Sequence, residues 1–260
     1  MSGERQAVDR ASGRTPGESL RLSVVIPAYN EEKLIAGTLA AVRESLAGAG
    51  LARDAYEIVV CDNASADATA ALAADGGAHV VFEPERQIAR ARNTGAAAAR
   101  APWLLFLDAD SRPHAALMRL LLAALDDPRL VAGGCTMRMQ GVPAGIAIGL
   151  WLWNATSRLC RWASGAFVFC RADAFRAVGG FGLDFYVAEE IDFSRRIKRW
   201  GASRGLGFRI LRGERLLTSG RKARLYSQRE IWGLLARMLR NPRRFFRDRS
   251  LLYLWYDGRR

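Results

Sequence analysis

The sequence predicts an α/β protein whose mostly parallel sheet is covered by helices on both faces. Short apolar runs of strand length alternate with helix-like segments in the first half of the chain, and polar residues stand near the end of most runs. The 260 residues are 50% hydrophobic and 25% charged, which is enough for one large domain, or two fused ones, with a buried core. This composition excludes a disordered chain, a collagen-like repeat and a disulfide scaffold.

Four strands and three helices are predicted in the first half. Each predicted strand is a continuous apolar run, typical of strands buried on both faces of a sheet: residues 21–27, 56–61, 78–82 and 103–107. The first helix runs to Ala47, with Asn30 as its cap and Glu31 and Glu32 in its first turn. The other two helices are predicted over residues 65–74 and 88–100. Strands that alternate with helices in this way pair in parallel.

The pattern changes after residue 112. Helices are predicted over residues 115–125, 171–178 and 191–200, a strand at the edge of the sheet over 130–139 and a further strand over 165–170. Residues 228–239 have an amphipathic helical pattern that ends before Pro242. The apolar stretch 141–153 is shorter than a bilayer span and contains Pro143, which disfavours a transmembrane helix and leaves an interfacial segment open.

The net charge of +13 is concentrated at one end of the chain. Residues 195–260 contain 20 Lys and Arg against 4 Asp and Glu, whereas residues 1–194 contain 19 against 22. Such a basic block attracts polyanions, which include phosphates, nucleic acid and an anionic membrane face. A solvated basic surface without a partner is the alternative interpretation.

The opening residues and the cysteines predict a cytoplasmic protein. Residues 1–20 mix acids, bases, Gly and Pro without an apolar run, which indicates a disordered leader and no export signal. The four cysteines have no C-x-x-C spacing, so we expect buried or free thiols rather than a zinc site. The sequence contains no internal repeat, and the best boundary between its two halves lies just after Asp110.

Three of the predicted strands deliver polar groups to one edge of the sheet. These groups follow the first, second and fourth strands, at residues 27–31, 62–65 and 108–110. The carboxyl ends of parallel strands meet at the same edge, where α/β proteins bind ligands. Taken singly, Asn30, Asn63 and Ser65 are explained as helix caps and Asp62 as a turn former. Caps and turns do not explain why all three ends are polar.

Asp108 and Asp110 predict a divalent cation at this edge. They follow a fully apolar run and lie two residues apart, so in extended backbone both carboxylates face the same way. Two such carboxylates repel each other unless a proton or a cation lies between them. Mg²⁺ and Mn²⁺ prefer these oxygen ligands and typically share them with substrate phosphates. The alternative is that one aspartate caps the helix that follows.

A set of sequence motifs resembles the family 2 glycosyltransferases of the GT-A fold. They are SVVIPAYNEE at 23–32, CDNASADAT at 61–69, ARNTG at 91–95, FLDAD at 106–110, and GAF at 165–167 with EEIDFSRRI at 189–197. The resemblance spans about residues 21 to 221 and keeps the family's motif order. It implies a Rossmann-like nucleotide-binding sheet flanked by helices and a smaller mixed acceptor region, to which the charge and the amphipathic pattern beyond residue 227 add a basic helical C-terminus. The corresponding boundaries are 1–20 for the leader, 21–112 for the donor half, 113–227 for the acceptor and base half, and 228–260 for the basic segment.

The resemblance implies a metal-dependent, inverting transfer of a sugar from a nucleotide-diphosphate sugar to a hydroxyl acceptor. Pro27, Tyr29 and Glu31 would line the nucleotide base and ribose, and Asp62 would accept a hydrogen bond from the base. Asp108 would lie near the ribose or the metal. Asp110 would bind the Mg²⁺ or Mn²⁺, and Arg90 and Arg92 would contact phosphate. Ser219 and Arg221 would lie near the diphosphate. Asn93 would have an architectural role.

The acidic cluster Glu189, Glu190 and Asp192 resembles the family's catalytic carboxylates. Glu190 matches the presumed general base, although a Glu stands where the family often has Asp, which leaves Glu189 open as the base. Inverting transfer needs a carboxylate opposite the leaving diphosphate, which takes the proton of the attacking hydroxyl. Repulsion from Glu189 and Asp192 is expected to raise the pKa of Glu190. The alternative is that these acids only stabilise a helix N-terminus.

The expected partners are a nucleotide-sugar donor, an unidentified hydroxyl acceptor next to residues 164–166, and an anionic membrane surface. Nucleic acid is not expected. Trp151, Trp153 and the basic C-terminus favour attachment to the cytoplasmic membrane face. Two other functions remain open: a non-catalytic basic adaptor for membranes or nucleic acid that keeps the fold, and a sugar nucleotidyltransferase. The latter would need a Gly-rich, basic loop after the first strand, where this chain has PAYNEE.

Overall fold

The computed structural model describes residues 20–139, 142, 144–218 and 233. Strands and helices alternate through most of these ranges. In chain order they are β1 Leu22–Ala28, α1 Ile35–Gly48, β2 Tyr56–Asp62, α2 Thr69–Asp75, β3 His79–Phe82, α3 Ile88–Ala97, β4 Trp103–Leu107, β5 Ser111–Arg112, α4 Ala115–Leu125, β6 Leu130–Met139, α5 Ala144–Cys160, β7 Phe167–Arg171, α6 Ala172–Ala177, α7 Glu189–Ala202 and β8 Gly207–Thr218.

All eight of these strands belong to one sheet, in the order β3-β2-β1-β4-β7-β6-β8-β5. The four strands of the first half run parallel to one another, as predicted. In the second half β7 runs antiparallel to both β4 and β6, and β8 runs parallel to β6. The predicted α/β class with a mostly parallel sheet is therefore confirmed, and the mixed strands lie in the second half.

Helices cover both faces of the sheet, and each face has its own apolar core. One core packs the side chains on one face of β1 and β2 against α1, α2 and α4. The other joins β4, β6 and β7 to α3, α6 and α7. In this second core Phe181 packs edge-on against Phe106 at 4.9 Å between ring centroids and lies 4.6 Å from Phe193 on α7. These contacts hold the segment before α7 against the end of β4, where the candidate site lies.

Two strand predictions need correction. The strand over residues 130–139 is not at the edge, because β6 lies between β7 and β8. Its outer neighbour β8 was not predicted, because charged residues and Gly213 interrupt its apolar pattern. The pairing of β6 with β8 also shifts register between Cys135 and Thr136, which no local pattern indicates.

The predicted caps Asn30 and Ser65 do not cap helices. Asn30 has a left-handed φ of 50°, and its Oδ1 accepts a hydrogen bond from the Ala66 amide at 2.8 Å. Ser65 Oγ accepts from the Asn30 amide at 3.0 Å. The two residues therefore tie the loop after β1 to the loop after β2, and α1 begins only at Ile35.

Several predictions lie outside the described residues. These are the leader over residues 1–19, the amphipathic pattern at 228–239 apart from Gly233, the rest of the basic segment, and Ser219 and Arg221. The apolar stretch that begins at 141 continues into α5. Among the helices that the structure describes, none is both long and apolar enough to cross a bilayer.

Candidate functional site

A cavity of about 400 Å³ lies at the sheet edge where β1 and β4 end. β6 and β8 contribute Met137, Met139 and Thr218 at their ends, and the turn before β7 contributes residues 164–166. Eight of the predicted site residues line this cavity: Pro27, Tyr29, Glu31, Arg92, Asp108, Asp110, Glu189 and Glu190. The structure thus brings together the polar strand ends and the acidic cluster, which are more than 70 residues apart in the chain.

One wall of the cavity carries an arginine stacked on a tyrosine. The Arg86 guanidinium lies 3.9 Å from the ring centroid of Tyr29, and its buried Nε has no hydrogen-bond partner among the described residues. Asn63 holds the segment that carries Arg86, because its Nδ2 donates to the carbonyls of Glu83 at 3.0 Å and Glu85 at 2.7 Å. Sequence reasoning missed Arg86 and interpreted Asn63 as a cap. The three arginines within residues 86–92 were the available signal for Arg86.

Arg92 is the centre of a buried charge cluster. Its Nη1 donates to Glu189 at 2.5 Å, and its Nη2 donates to Asp108 at 3.0 Å and to the Gly165 carbonyl at 2.7 Å. Burial by itself lowers the pKa of Arg92, but the attraction of Glu189 and Asp108 outweighs it and the net shift is upward. The guanidinium is covered and its two terminal nitrogens are bound to three acceptors, so the structure does not favour the predicted contact of Arg92 with phosphate.

Glu190 is half-buried on the cavity wall, one residue after the partner of Arg92. Burial is the largest cause that raises the pKa of Glu190 to about 8, and repulsion from Glu189 is the next. The attraction of Arg92 acts in the opposite direction. A carboxyl with this pKa can take up and release a proton near neutral pH, whereas Glu189 is held by Arg92. The structure therefore favours Glu190 over Glu189 as a proton acceptor.

Asp108 and Asp110 line the cavity directly after β4. Asp108 Oδ1 is bound by Arg92, and its side chain is 32% exposed. Within the described ranges, no three His, Cys, Asp or Glu side chains lie close enough to hold a cation by themselves. The pair therefore fits a hard divalent cation only in a shared mode, in which a diphosphate and water supply the remaining ligands.

Left-handed backbone conformations occur beside the cavity. Four non-glycine residues of the described chain have positive φ, and three of them, Asn30, Ala64 and Ala188, are cavity residues or neighbours of cavity residues. Ala188, with φ 67°, lies immediately before Glu189 at the start of α7. Such conformations are unfavourable for residues with a Cβ and persist where the surrounding structure enforces them. The loops that shape the cavity are thus held by contacts rather than by local preference.

Three predicted site residues do not line the cavity. Asp62 is buried with its Oδ2 accepting from the Ser65 amide at 3.4 Å, and its neighbour Asn63 faces the cavity instead because side chains alternate along a strand. Asp192 is paired with Arg196 at 2.6 Å and is not among the groups that shift the pKa of Glu190. Arg90 pairs with Glu85 at 2.9 Å. The structure thus places these three residues outside the cavity lining, and their direct roles stay predictions.

Asn93 has the architectural position that was predicted. Its Oδ1 accepts from the Phe181 amide, and its Nδ2 donates to the Phe181 carbonyl, both at 2.9 Å. The side chain therefore fixes the segment before α7 to α3. Ser164, Gly165 and Ala166 line the same cavity, and Ser164 Oγ donates to Met137 Sδ at 2.9 Å.

The sequence model of the family described as Glycosyl transferase family 2 matches residues 23–191. Curated relatives with a similar segment include an uncharacterized glycosyltransferase of Mycobacterium tuberculosis, 38% identical over 105 residues, or 40% of this chain and 44% of that protein. Another is validoxylamine A glucosyltransferase of Streptomyces hygroscopicus subsp. limoneus, 35% identical over 123 residues, or 44% of this chain and 26% of that protein. The matches thus span less than half the length of these curated relatives.

Solved structures with a similar fold include two enzymes that transfer sugars. The mannosyltransferase PcManGT from Pyrobaculum calidifontis, in complex with GDP-Man and Mn²⁺, has a TM-score of 0.61 and 21% identity over 90% of this chain and 69% of its own. Glucosyl-3-phosphoglycerate synthase from Mycobacterium tuberculosis, in complex with Mn²⁺, UDP and glucosyl-3-phosphoglycerate, has a TM-score of 0.59 and 18% identity over 85% of this chain and 77% of its own. At this level of identity the similarity establishes the fold.

Proposed function

The chain belongs to glycosyl transferase family 2, and we propose that it transfers a sugar, with inversion, from a nucleotide-diphosphate sugar to a hydroxyl acceptor. The observation that carries this proposal is the arrangement of the cavity. Carboxylates suited to a cation follow β4, and Glu190, a carboxyl whose pKa is raised to about 8, lies in the first turn of α7 and lines the same cavity. The GT-A neighbours, which were crystallised with a nucleotide or nucleotide sugar and Mn²⁺, support the donor class.

The donor nucleotide is proposed to bind along the end of β1. Pro27, Tyr29 and Glu31 offer an apolar ring and a carboxylate that suit a base and a ribose. Arg86, stacked on Tyr29, directs a guanidinium into the same wall. This guanidinium can stack on the base or donate to a phosphate. Arg92 has a different role, since it holds Asp108 and Glu189 in place.

Asp108 and Asp110 are the residues proposed to hold Mg²⁺ or Mn²⁺ together with the donor diphosphate. The cation would neutralise the charge that grows on the leaving diphosphate. Asp108 is positioned for this by Arg92, which occupies one of its oxygens at 3.0 Å.

Glu190 is proposed to act as the general base. It accepts the proton of the acceptor hydroxyl as that oxygen forms its bond to the anomeric carbon, and the bond from the anomeric carbon to the diphosphate oxygen breaks. The products are the glycosylated acceptor, a nucleoside diphosphate and protonated Glu190, which returns its proton to water. The acceptor is proposed to enter beside Ser164, Gly165 and Ala166, which share the cavity with Glu190.

Donor turnover tests the proposal. The protein is incubated with UDP-, GDP- and TDP-sugars and Mn²⁺, and release of nucleoside diphosphate is measured, with thermal shift as the readout of donor binding. We expect Mn²⁺-dependent turnover with one donor and its loss in Asp110→Asn. Glu190→Gln should keep the donor-induced thermal shift but lose about 10²–10⁴-fold in rate. Asp192→Asn is the matched control, because this acid lies outside the cavity.

The same assay separates the two alternative functions. A non-catalytic adaptor would show no turnover with any donor, and that result would refute the proposal. A sugar nucleotidyltransferase would release pyrophosphate from a nucleoside triphosphate and a sugar phosphate instead. Turnover that is equal in wild type and Asp110→Asn would refute the cation site while leaving glycosyl transfer in place.

A further inference from the structure

Helix α5 turns an apolar face to the solvent. Four of its large apolar side chains are more than half exposed: Ile148 at 60%, Trp151 at 67%, Leu152 at 53% and Leu159 at 86%. Their spacings of three, four and seven or eight residues place them on one side of the helix. We call these four residues the α5 apolar face. On the other side of the helix Asn154 and Ser157 are buried, and Asn154 exchanges hydrogen bonds with the Met137 backbone at 3.1 and 2.9 Å.

This arrangement is the reverse of an ordinary surface helix, whose polar side faces water. From Ala144 to Ser157 the sequence of α5 contains no charged residue at all. The polar side chain of Asn154 is used on the inner side, so the fold does not need the outer side to be apolar. A clustered apolar face of this kind on a surface helix marks an interaction site.

Positive charge prevails in the sequence around α5 and at the C-terminal end of this helix. Between Asp127 and Asp173 the chain contains five arginines and not one Asp, Glu or Lys. Helix α7 adds two further cations at the C-terminal end of α5. Arg195 stacks over Trp162 at 4.7 Å, and Lys198 Nζ donates to the Cys160 carbonyl at 2.7 Å. Arg158 and Arg161 lie at the same end and are exposed.

We propose that the α5 apolar face docks on the surface of an anionic lipid bilayer. The four apolar side chains enter the interface between headgroups and acyl chains, and α5 lies in the plane of the membrane. Trp151 has the amphipathic ring that is favoured at this depth. Arg158, Arg161, Arg195 and Lys198 then contact lipid phosphates around the end of the helix.

Charge distinguishes a lipid surface from the other candidates for this face. A second copy of the chain would offer the same surface, which has no Asp or Glu between Asp127 and Asp173 to pair with these arginines. The chain's own residues 219–260 contain 12 Lys and Arg against 3 Asp and Glu, so their charge does not complement the arginines at the C-terminal end of α5. An anionic bilayer attracts both the surroundings of α5 and that basic segment, which gives two attachment signals.

Vesicle flotation of the full chain tests the proposal. The probes are vesicles of phosphatidylglycerol and phosphatidylcholine in equal parts and vesicles of phosphatidylcholine alone, at low salt and at about 0.5 M NaCl, where exposed charges are screened. We expect the wild type to float with the anionic vesicles and to retain a salt-resistant bound fraction. Trp151→Ser/Leu152→Ser should lower that fraction about tenfold, because it removes apolar surface from the interface. Leu159→Ser, at the most exposed of the four positions, should act in the same direction.

Phe82→Ser is the matched control. Phe82 is 62% exposed, and so resembles Trp151 in exposure. It ends the edge strand β3, and four strands separate β3 from β6, the strand on which α5 packs. This variant should float like the wild type. An equal loss in Phe82→Ser and Trp151→Ser/Leu152→Ser would overturn the proposal. So would flotation of the double variant at the wild-type level, because binding would then rest on the basic C-terminal segment alone.

Two measurements without lipid address the other occupants. Sedimentation velocity should show the same oligomeric state for the wild type and the double variant. A dimer that dissociates in the double variant would assign the α5 apolar face to a second copy. Carbene footprinting should label Trp151 and Leu159 in the lipid-free protein and lose that label with anionic vesicles. Protection of both residues before lipid is added would show that another part of the chain covers the face.

Discussion

The Arg92 guanidinium donates to Oε1 of Glu189 at 2.5 Å, and neither side chain is more than 4% exposed. The pair joins α3 to the first turn of α7 across 97 residues of sequence. Because the same guanidinium also reaches Asp108 and the Gly165 carbonyl, it connects α3 to the end of β4, the turn before β7 and the start of α7. Arg92, whose positive charge lowers the pKa of Glu190, therefore also holds these segments of the domain together.

Arg92→Met should destabilise the fold by about 3–5 kcal/mol, because it leaves the Glu189 carboxylate buried without its partner. Arg92→Met/Glu189→Met removes both charges and should recover a substantial part of that loss. Urea unfolding of the wild type and both variants measures the difference. If the double variant were no more stable than Arg92→Met, the ion pair would not be the source of the effect.

The first half of the fold could be predicted because its signals are local. Each of its strands coincides with a mostly apolar run of strand length. The bounds of β4 and α4 match the predicted ranges. β8 could not be predicted in this way, because Gly213 and charged residues interrupt it and its partner β6 lies about 70 residues earlier. Its place in the sheet follows from non-local pairing.

The candidate site shows the same division. The strand-end acids Asp108 and Asp110 were predictable, since the carboxyl ends of parallel strands meet at one edge. The burial of Arg92 was not, because an arginine in a helical pattern normally faces solvent, and its partner Glu189 is distant in sequence. The same holds for Asn30, whose side chain binds the Ala66 amide of another loop rather than its own helix.

Activity should rise with pH as Glu190 loses its proton. Its pKa is raised to about 8, so below that pH the free protein holds Glu190 mostly protonated and unable to accept a proton. The kcat/KM for transfer should fall about tenfold for each pH unit well below the apparent pKa. Rates measured between about pH 6 and 9 with the best donor check this. A rate that stays flat across this range would mean that Glu190 does not titrate as the base.

Stability should depend on Glu190 in the opposite direction. The folded state binds this proton more tightly than the unfolded state, whose carboxyl has the ordinary value of 4.5. The contribution is therefore fully present below the unfolded pKa and is lost as pH rises through about 8. Glu190→Gln keeps a neutral side chain at all pH values, so its advantage over wild type should grow by about 1–2 kcal/mol between about pH 6 and 8. Thermal unfolding at several pH values measures this, and a difference that does not change with pH would contradict it.

Gly133 and Gly149 should respond oppositely to alanine. A Cβ at Gly133 would lie 2.1 Å from the Arg209 carbonyl oxygen and 2.3 Å from the Phe169 ring, so β6 and β8 would have to separate. We expect Gly133→Ala to lower the unfolding free energy by about 1–3 kcal/mol or more. Gly149 has open space within 4 Å and lies inside α5. Gly149→Ala should therefore stabilise the protein by about 0.5–1 kcal/mol, and a loss of stability there would show that α5 is not helical in solution.

Arg86→Met should weaken donor binding without loss of stability. The side chain is only partly buried, and its guanidinium stacks on Tyr29 at 3.9 Å with a free Nε donor in the cavity wall. Removing both the stacking and the donor should raise the KM for the nucleotide sugar about tenfold while kcat changes little, because the contact is made to the bound donor in both ground and transition states. Arg204→Met is the matched control, since Arg204 stacks on Trp200 at 4.1 Å outside the cavity. An equal rise in KM for both variants would indicate a general electrostatic effect of the lost positive charge. A fall in kcat alone would indicate that Arg86 contacts the reacting atoms and does not contribute to donor binding.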